Sequence, residues 1–278
     1  MTLNIPQITL NDGHAFAEVG LGTYNLKGDD GIAAIGAALD TGYRVLDTAV
    51  NYGNEREVGE AVRRSSVDRD EIIVTSKIPG RHHGYDEAIA STRESLETLG
   101  LERIDLHLIH WPNPSVGKYV DTFRALTALR DDGLVRSIGV SNFTEAMLTE
   151  IIDATGVVPA VNQVELHPFF PQAALRAFHA EHGIRTESWS PLARRGELFA
   201  EPVIGDLAEA YGVTPTQLVV RWHVQLGATP IPKSADPGRQ RENADVFGFS
   251  IADEDMDRIS ALERGRLWDA DPNFHEEM

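Results

Sequence analysis

Cysteine is absent from the 278-residue sequence, and basic residues are scarce. Without a thiol the chain can form no disulfide framework, no cysteine nucleophile and no cysteine-ligated metal site. The 25 Lys and Arg residues against 43 Asp and Glu residues give a formal net charge of −18, and such a field repels phosphate backbones and anionic lipid surfaces. Nucleic-acid and membrane partners are therefore not expected, and any anionic ligand would need a local cluster of cations.

Long apolar runs are also missing. No segment approaches the ~18 apolar residues of a membrane helix, and the N-terminal "MTLNIPQITLNDG" has no basic start followed by an apolar core. We therefore expect neither a signal peptide nor a membrane span, and a cysteine-free chain fits a reducing cytoplasm. The hydrophobic content of 42% is typical of a folded globular protein. No heptads or long apolar stripes occur, so a monomer is the default expectation.

Short apolar runs alternate regularly with longer helical patterns along the chain. The first pair of strands is expected to form a hairpin, because "QITLNDGHAFAEVG" contains the turn sequence Asn11-Asp12-Gly13. The strands after it are expected to start at Gly20, Val45, Ile72, Ile104, Val135, Ala160, Arg185 and Ala228. The helical patterns between them span Ile32 to Asp40, Glu55 to Arg64, Glu87 to Leu99, Val120 to Arg130, Glu145 to Ala154, Ala173 to His182, Val203 to Tyr211 and Pro215 to Gln225.

Eight βα units with largely apolar strands predict a parallel, closed (β/α)8 TIM barrel. No linker or composition break divides the chain, so we expect one α/β barrel domain over residues 1–278, with the N-terminal hairpin and additional helices. The main alternative is a doubly wound open sheet, whose dinucleotide-binding form places G-x-G-x-x-G after the first strand. The segment "GLGTYN" supplies Gly20 and Gly22 but has Asn25 in place of the third glycine, which favours the barrel.

Four side chains that can move or orient a proton are expected at one rim of the barrel. Three consecutive strands are predicted to end at Asp47, Lys77 and His110, and Tyr52 lies in the loop after Asp47. The catalytic groups of such barrels come from the C-terminal ends of the strands. A tyrosine with a pKa of about 10 becomes a better acid beside a cation, so Lys77 would tune Tyr52 while Asp47 holds Lys77. With His110 orienting a carbonyl oxygen or relaying its proton, the set predicts proton transfer at a carbonyl or alcohol oxygen.

Structural roles remain open for part of this set. In "DTAVNYGNE", Asn54 could cap a helix that starts at Glu55, Gly53 could supply a left-handed turn, and Asp47 could bond loop amides. His110 taken alone is as consistent with packing as with catalysis.

A metal site built from Asp105, His107 and His110 is the other chemical alternative. Residues of one strand alternate between its two faces, which would place His107 opposite His110. Since the ligands of a metal ion must converge on one point, these alternating side chains disfavour a metal site and no metal is expected.

A series of motifs over nearly the whole chain resembles the aldo-keto reductases. In chain order they are "GLGTY", "GYRVLDTAVNYGNE", "TSK", "LHLIHWP", "SIGVSNF", "VNQVELHP", "SWSPL" and "IPKSADPGRQREN". Within the family the pattern is most similar to the bacterial 2,5-diketo-D-gluconate reductase branch. The resemblance implies a barrel that binds NADPH without a Rossmann domain and reduces an aldehyde or ketone to an alcohol. It also assigns the catalytic tetrad to Asp47, Tyr52, Lys77 and His110, with Tyr52 as the proton donor.

The same resemblance implies which residues hold the cofactor. Ser141, Asn142 and Gln163 would clamp the nicotinamide carboxamide, whose donor and acceptor groups suit their hydroxyl and amide groups. Trp189, where many relatives carry tyrosine, would stack on the nicotinamide ring. The other implied cofactor residues are Gly22, Thr23, Tyr24, Ser190, Leu192, Lys233, Ser234, Arg239, Glu242 and Asn243.

The segment "PKSADPGRQR" supplies the cation cluster that an anionic ligand would need. Lys233, Arg239 and Arg241 gather at the last βα loop and helix start, where barrels often hold phosphate. Since Lys and Arg can bind the 2′-phosphate that NADH lacks, a preference for NADPH is predicted. A solvated basic helix end is the structural alternative.

The substrate pocket is expected to be aromatic. Tyr24 and Trp111 would line it together with His110, and Trp268 would reach it from the C-terminal tail, although a Trp in "HWP" could also only pack the rim. Candidate substrates are keto sugar acids, methylglyoxal-like dicarbonyls and aromatic aldehydes. Two other functions remain open for the same barrel: an NADPH-retaining regulatory subunit and a metal-dependent hydrolase.

Overall fold

The computed structural model describes residues 2–278, and its strands form two sheets. The ten strands are β1 Gln7–Thr9, β2 Ala15–Ala17, β3 Leu21–Gly22, β4 Val45–Asp47, β5 Ile73–Ile78, β6 Ile104–Ile109, β7 Val135–Ser141, β8 Val161–Glu165, β9 Arg185–Trp189 and β10 Ala228–Pro230. The first two strands pair antiparallel, with Ile8 opposite Phe16. This confirms the predicted N-terminal hairpin.

The other eight strands follow one another in chain order through a single parallel sheet. The backbone amide of Gly20 donates to the carbonyl oxygen of Pro230 at 3.0 Å, and Gly22 pairs with Lys233 beyond β10. A Cβ atom on Gly22 would lie 2.8 Å from the carbonyl oxygen of Ile231, so only glycine fits this seam. The first strand therefore meets the last, and the predicted (β/α)8 barrel is confirmed.

Helices cover the outside of the sheet. They are α1 Gly28–Thr41, α2 Glu55–Arg64, α3 Tyr85–Leu99, α4 Tyr119–Asp131, α5 Glu145–Thr155, α6 Ala173–His182, α7 Arg195–Leu198, α8 Pro202–Tyr211, α9 Pro215–Gln225, α10 Pro237–Ala244 and α11 Asp253–Ser260. The predicted bounds of α2, α6 and α9 are confirmed, whereas α1 starts four residues earlier than predicted. Two acidic residues, Asp29 and Asp30, lie in its first turn, where they complement the helix dipole. No helix within residues 2–278 is long and apolar enough to cross a membrane.

The helix starts follow local chemistry. In α9, the Thr214 side chain accepts from the Gln217 amide while the Gln217 side chain accepts from Thr214, and Pro215 fills the first helical position. Asp236 caps α10 by accepting from the Arg239 amide at 2.8 Å.

Apolar side chains fill the layer between barrel and helices. Trp222, Phe123 and Leu46, for example, are fully buried, and each such side chain contributes roughly 1.5–3 kcal/mol to folding through its removal from water. Charged and amide side chains are also buried in the strands of the barrel, among them Lys77, Gln163 and Glu187. Because burying such groups is costly unless they are paired, their partners deserve individual description.

Candidate active site

Lys77 is the centre of a buried cluster at the C-terminal ends of β4 and β5. Its Nζ atom donates to Asp47 Oδ1 at 2.7 Å, to the Thr48 carbonyl oxygen at 3.0 Å and to the Tyr52 hydroxyl at 3.3 Å. All three ammonium hydrogens are therefore used. Burial acts to lower the pKa of Lys77, but the charge of Asp47 and its hydrogen bond to the ammonium act in the opposite direction, and the net result is a pKa above its ordinary value. Lys77 thus stays a cation.

Tyr52 reaches Lys77 from a single turn of 3-10 helix, Val50–Tyr52, which ends at Gly53 in the left-handed conformation with φ of 60°. The left-handed turn predicted for Gly53 is confirmed. Burial raises the pKa of Tyr52, and although Lys77 acts in the opposite direction, the net shift is upward. Lys77 was expected to make Tyr52 a stronger acid. It does lower the pKa of Tyr52, but burial penalises the phenolate more, so Tyr52 is on balance a weaker acid than a free tyrosine. Tyr52 keeps its proton at neutral pH.

His110 follows β6 and faces Tyr52 edge-on, with ring centroids 5.8 Å apart. Its Nδ1 atom lies 2.9 Å from Glu277 Oε1. Burial lowers the pKa of His110, and the neighbouring Glu277 carboxylate only partly offsets this. The imidazole is therefore neutral at pH 7. Acid, ammonium, phenol and imidazole meet at one rim, as predicted from the strand ends, although β5 runs one residue past Lys77 and β6 stops one residue before His110.

A second buried carboxyl group, Glu187, is linked to Asp47 through an amide. The Nε2 atom of Gln163 donates to Asp47 Oδ2 at 2.8 Å and to Glu187 Oε2 at 2.7 Å. Burial, together with the charge of Asp47, raises the pKa of Glu187 to about 8. The second oxygen of Glu187, Oε1, is buried without a hydrogen-bond partner within residues 2–278.

The side chains that were predicted to clamp the carboxamide lie beside this network. Ser141 Oγ donates to the Gln163 carbonyl oxygen at 2.9 Å, and Asn142 Nδ2 donates to the His110 carbonyl oxygen at 3.1 Å. Asn142 has a φ of 64°, a conformation that Asn tolerates better than most residues. The indole Nε1 of Trp189 donates to Asn142 Oδ1 at 2.7 Å, which fixes the orientation of the Trp189 ring. Ser190, with φ of 49°, turns the chain directly after it.

These side chains line one pocket of about 350 Å³ at the C-terminal end of the barrel. Its walls include the tetrad residues Asp47, Tyr52 and His110 and the predicted cofactor and substrate residues Gly22, Tyr24, Trp111, Ser141, Asn142, Gln163, Trp189, Ser190 and Lys233. Thr23 is buried behind the pocket, where its hydroxyl donates to the Asp47 carbonyl oxygen at 2.8 Å. Leu192 is partly buried in the apolar layer outside the barrel, so the structure places its side chain away from the pocket wall.

The predicted phosphate residues lie at the start of α10 and are more exposed. The side chain of Lys233 has no hydrogen bond or ion pair with any residue between 2 and 278, and Arg239 is 3.9 Å from Asp236 with about half of each side chain exposed. Ser234 is buried and bonds the backbone of Asp236. The other two predicted residues lie further along the helix, and Glu242 accepts from the Thr214 hydroxyl at 2.7 Å while Asn243 is buried.

The C-terminal tail packs against the pocket beside Trp111, Trp189 and His110. Trp268 packs edge-on against Trp189 with centroids 5.7 Å apart, and the ring of His275 lies 4.2 Å from that of Trp111. The carbonyl oxygen of Glu277 accepts from the Gly80 amide at 3.1 Å. Trp111 therefore lines the pocket, whereas Trp268 packs on Trp189 and is not one of the lining residues. The tail also places a carboxylate beside His110.

Asn54 does not act as predicted. It occupies the position before α2 but makes no side-chain capping bond. Its amide nitrogen donates instead to the carbonyl oxygens of Thr23 and Leu26, at 2.8 and 3.1 Å, and its Oδ1 accepts from the Thr48 hydroxyl at 2.8 Å. The prediction was wrong because the side chain bonds the Thr48 hydroxyl and two carbonyl groups distant in sequence instead of the helix amides.

The alternative metal ligands are separated in the structure. Asp105 accepts from Arg69 at 2.7 Å and from the Val74 amide at 2.9 Å, while His107 lies 3.0 Å from the Ser76 carbonyl oxygen. Among residues 2–278 no group of three or more His, Asp and Glu side chains is placed to hold a metal ion.

Two residues at the pocket were not predicted from the sequence. Glu187 is a carboxylate in the middle of a strand, and its position in "RTESWS" is the only signal that marked it as unusual. Glu277 lies in a tail without secondary structure, so no local pattern indicated its contact with His110.

The barrel and its polar rim define a class of protein, and sequence and structural similarity to known proteins identifies that class. The sequence model of the aldo/keto reductase family matches residues 18–264, and the chain belongs to this family. A 2,5-diketo-D-gluconic acid reductase B of a Corynebacterium species is 72% identical over 275 residues, which cover 99% of both chains. An aldo-keto reductase of Mycolicibacterium smegmatis is 49% identical and covers 96% of this chain and 97% of its own.

Solved structures agree with the fold. Gox0644 superposes with a TM-score of 0.93 at 44% identity, covering 99% of this chain and all of its own, and a mutant form of it was solved in complex with NADPH. A Bombyx mori aldo-keto reductase in complex with NADP superposes with a TM-score of 0.91 at 31% identity over 99% of both chains. The predicted family and fold are confirmed.

Proposed function

We propose that the protein reduces an aldehyde or ketone to an alcohol with NADPH, and that Tyr52 gives its proton to the carbonyl oxygen. The observation that carries the proposal is the protonated Tyr52 hydroxyl 3.3 Å from the buried Lys77 ammonium, in a pocket that also contains His110. The family, the Corynebacterium relative named as a reductase and the nucleotide-bound relatives support the same reaction class.

The chemistry of the pocket fits NADPH. The nicotinamide would lie against Trp189, its carboxamide beside Ser141, Asn142 and Gln163, and its 2′-phosphate beside Lys233 and Arg239. Lys233 has no ion pair in the described chain, and Arg239 is held only loosely by Asp236, so both cations can bind an anion without breaking a strong contact. When bound, NADPH supplies the hydride that reaches the carbonyl carbon.

The tetrad residues would handle the proton. Tyr52 donates it to the oxygen on which negative charge develops, and Lys77 stabilises the phenolate that remains, because its ammonium is already directed at the hydroxyl. Asp47 keeps Lys77 in place and charged. His110, neutral and edge-on to Tyr52, would orient the carbonyl oxygen. General acid catalysis of this kind contributes ~10²–10⁴-fold to a rate.

Keto sugar acids, including 2,5-diketo-D-gluconate, are the first substrates to examine, because the Corynebacterium relative carries that name. Methylglyoxal-like dicarbonyls and aromatic aldehydes follow, since Trp111 supplies an apolar wall and Trp268 packs on Trp189, which also lines the pocket. A substrate that approaches His110 must share the pocket with Glu277 or displace the tail.

A panel of carbonyl compounds tests the proposal. Oxidation of NADPH at 340 nm is followed with one member of each substrate class, and NADH serves as the paired control. We expect multiple turnovers with NADPH on at least one class and much weaker activity with NADH. Cofactor binding without turnover on any carbonyl would contradict the proposal and favour an NADPH-retaining subunit.

A further inference from the structure

Glu187 is a buried titratable group that the proposed reaction does not use. It lies on β9, its side chain is fully buried, and its carboxyl group is held by the Gln163 amide. The charged groups that act on it are Asp47, Lys77 and Arg185. Burying a carboxyl group costs folding free energy unless the group is hydrogen-bonded or paired.

The contacts of Gln163 determine what its side chain can offer a ligand. Its nitrogen donates one bond to Asp47 and one to Glu187, and an amide nitrogen carries only two hydrogens. Both donors are therefore used. Its oxygen, Oε1, accepts no hydrogen bond from residues 2–278, and the side chain lines the pocket. Gln163 can act on a ligand only as an acceptor.

A neutral Glu187 makes this arrangement stable. Two carboxylates on the same amide nitrogen would repel each other. Asp47 is the one that stays charged, because it forms an ion pair with Lys77 at 2.7 Å. Burial raises the pKa of Glu187 above neutrality, so its carbonyl oxygen accepts from Gln163 without a second negative charge. The amide is then held at two points, which prevents it from turning its nitrogen toward the pocket.

The other polar groups of the clamp are already engaged. Asn142 uses its oxygen to accept from Trp189 at 2.7 Å and its nitrogen to donate to the His110 carbonyl oxygen and to Ser141. Ser141 in turn donates to the Gln163 carbonyl oxygen. A ligand that brings an N–H group to this wall therefore finds its free acceptor at Gln163 Oε1.

We infer that Glu187 is a positioning residue that fixes the Gln163 amide with its oxygen toward the nicotinamide, so that the pocket selects a cofactor whose carboxamide carries an NH₂ group. The inference rests on the proposed function, because it needs the nicotinamide to bind beside Gln163. Glu187 acts through Gln163 and contacts neither the cofactor nor the substrate itself.

A cofactor analogue isolates this contact from overall folding. The 3-acetylpyridine analogue of NADP⁺ replaces the NH₂ of the carboxamide by a methyl group and leaves the rest of the molecule unchanged. Dissociation constants for NADP⁺ and the analogue are measured by quenching of tryptophan fluorescence, which requires no turnover. In the wild type we expect NADP⁺ to bind about 3- to 10-fold more tightly, the effect of one hydrogen bond.

Variants of Glu187 should change this ratio selectively. Glu187→Leu removes the second acceptor and should bring the ratio to within about 2-fold of one, whereas Glu187→Gln keeps an acceptor oxygen and should restore it. Should the Leu variant fail to fold, Glu187→Asp withdraws the carboxyl group by one methylene and should also reduce the ratio. The control is Glu165→Gln, which alters another buried carboxyl group that bonds His167 and the Leu267 amide rather than Gln163.

Each outcome bears on a defined claim. A wild-type protein that binds NADP⁺ but does not distinguish the analogue would overturn the inference and leave the proposed function intact. An unchanged ratio in Glu187→Leu, or an equal loss in Glu165→Gln, would overturn it as well. Failure of the wild type to bind NADP⁺ at all would remove the proposed function and the inference with it.

Discussion

The two ends of the proposed cofactor site, called the nicotinamide end and the phosphate end after the groups that we propose they bind, differ in how their charges are held. At the nicotinamide end, Lys77 and Asp47 are almost completely buried and 2.7 Å apart. At the phosphate end, Arg239 and Asp236 are about half exposed and 3.9 Å apart, and Lys233 is exposed. One end is assembled by the strands before any ligand arrives, and the other keeps its cations in water until an anion replaces the solvent.

This difference follows from the tasks proposed for the two ends. Proton transfer requires a donor held in place, because reorganisation during the reaction raises the barrier. Phosphate recognition tolerates mobile cations, since a dianion attracts them over several ångströms and each contact adds modestly to affinity. We therefore expect substitutions at the nicotinamide end to abolish chemistry or destabilise the fold, and those at the phosphate end to change affinity alone.

The largest effect should follow from Tyr52→Phe. Removing the hydroxyl deletes the proposed proton donor while the ring still fills its place, so kcat for carbonyl reduction should fall by ~10²–10⁴-fold. The dissociation constant for NADPH should stay close to that of the wild type. Stopped-flow absorbance and fluorescence titration measure the two quantities, and turnover retained in this variant would remove Tyr52 from its role.

Asp47→Asn should show that the buried ion pair contributes more to the free energy of unfolding than an exposed pair does. The change leaves Lys77 charged and buried without a counter-ion, and breaking a buried pair in this way costs about 3–5 kcal/mol of unfolding free energy. Urea denaturation measures it. The matched control is Asp121→Asn, which breaks a surface pair with Arg124 at 2.7 Å and should have little effect. Equal losses in the two variants would mean that burial does not distinguish them.

Arg239→Ala should affect the phosphate end alone. Loss of one charged contact to the 2′-phosphate should weaken NADPH binding by about 10-fold, equivalent to ~1.4 kcal/mol. Binding of NADH should not change, and the remaining NADPH affinity should depend less steeply on salt. Comparable affinities for NADH and NADPH that the substitution leaves unaltered would defeat the assignment of this loop.

The last prediction concerns how the unfolding free energy changes with pH at the nicotinamide end. The folded-state pKa of Glu187 is raised from 4.5 to about 8, so the native state keeps a proton that the unfolded chain has lost. This contribution is complete below pH 4.5 and is lost as the pH rises through about 8, at roughly 1.4 kcal/mol per pH unit at most. Urea titrations at several pH values should show a shallower decline for Glu187→Gln than for the wild type. Parallel pH profiles would contradict the raised pKa.

The comparison also explains which features the sequence could predict. The proximity of Asp47 and Lys77 could be predicted because parallel strands end at one rim, so two separate segments could be placed together without a structure. The loop that we propose for phosphate binding could be singled out because its cations stand out in an acidic chain. In both cases the signal lies within one strand end or one loop.

Other features depend on contacts between distant segments. The sequence of α2 could not reveal that Asn54 bonds Thr23 and Leu26 instead of the helix start. Nor could a strand pattern assign Glu187 to Gln163, since that pairing depends on the register of β8 against β9, where Gln163 lies beside Glu187. The tail that brings Glu277 to His110 follows a path set by contacts with distant loops, such as its hydrogen bond from the Gly80 amide.

Transfer of an isotope from the cofactor tests the central claim most directly. NADPH deuterated at C4 on the transferred face is incubated with the protein and 2,5-diketo-D-gluconate or another carbonyl compound reduced in the panel, and the alcohol is examined by mass spectrometry and NMR. We predict one deuterium on the new carbinol carbon with the wild type, and almost none in the same time with Tyr52→Phe. An alcohol without deuterium, or equal labelling by the two proteins, would contradict the account.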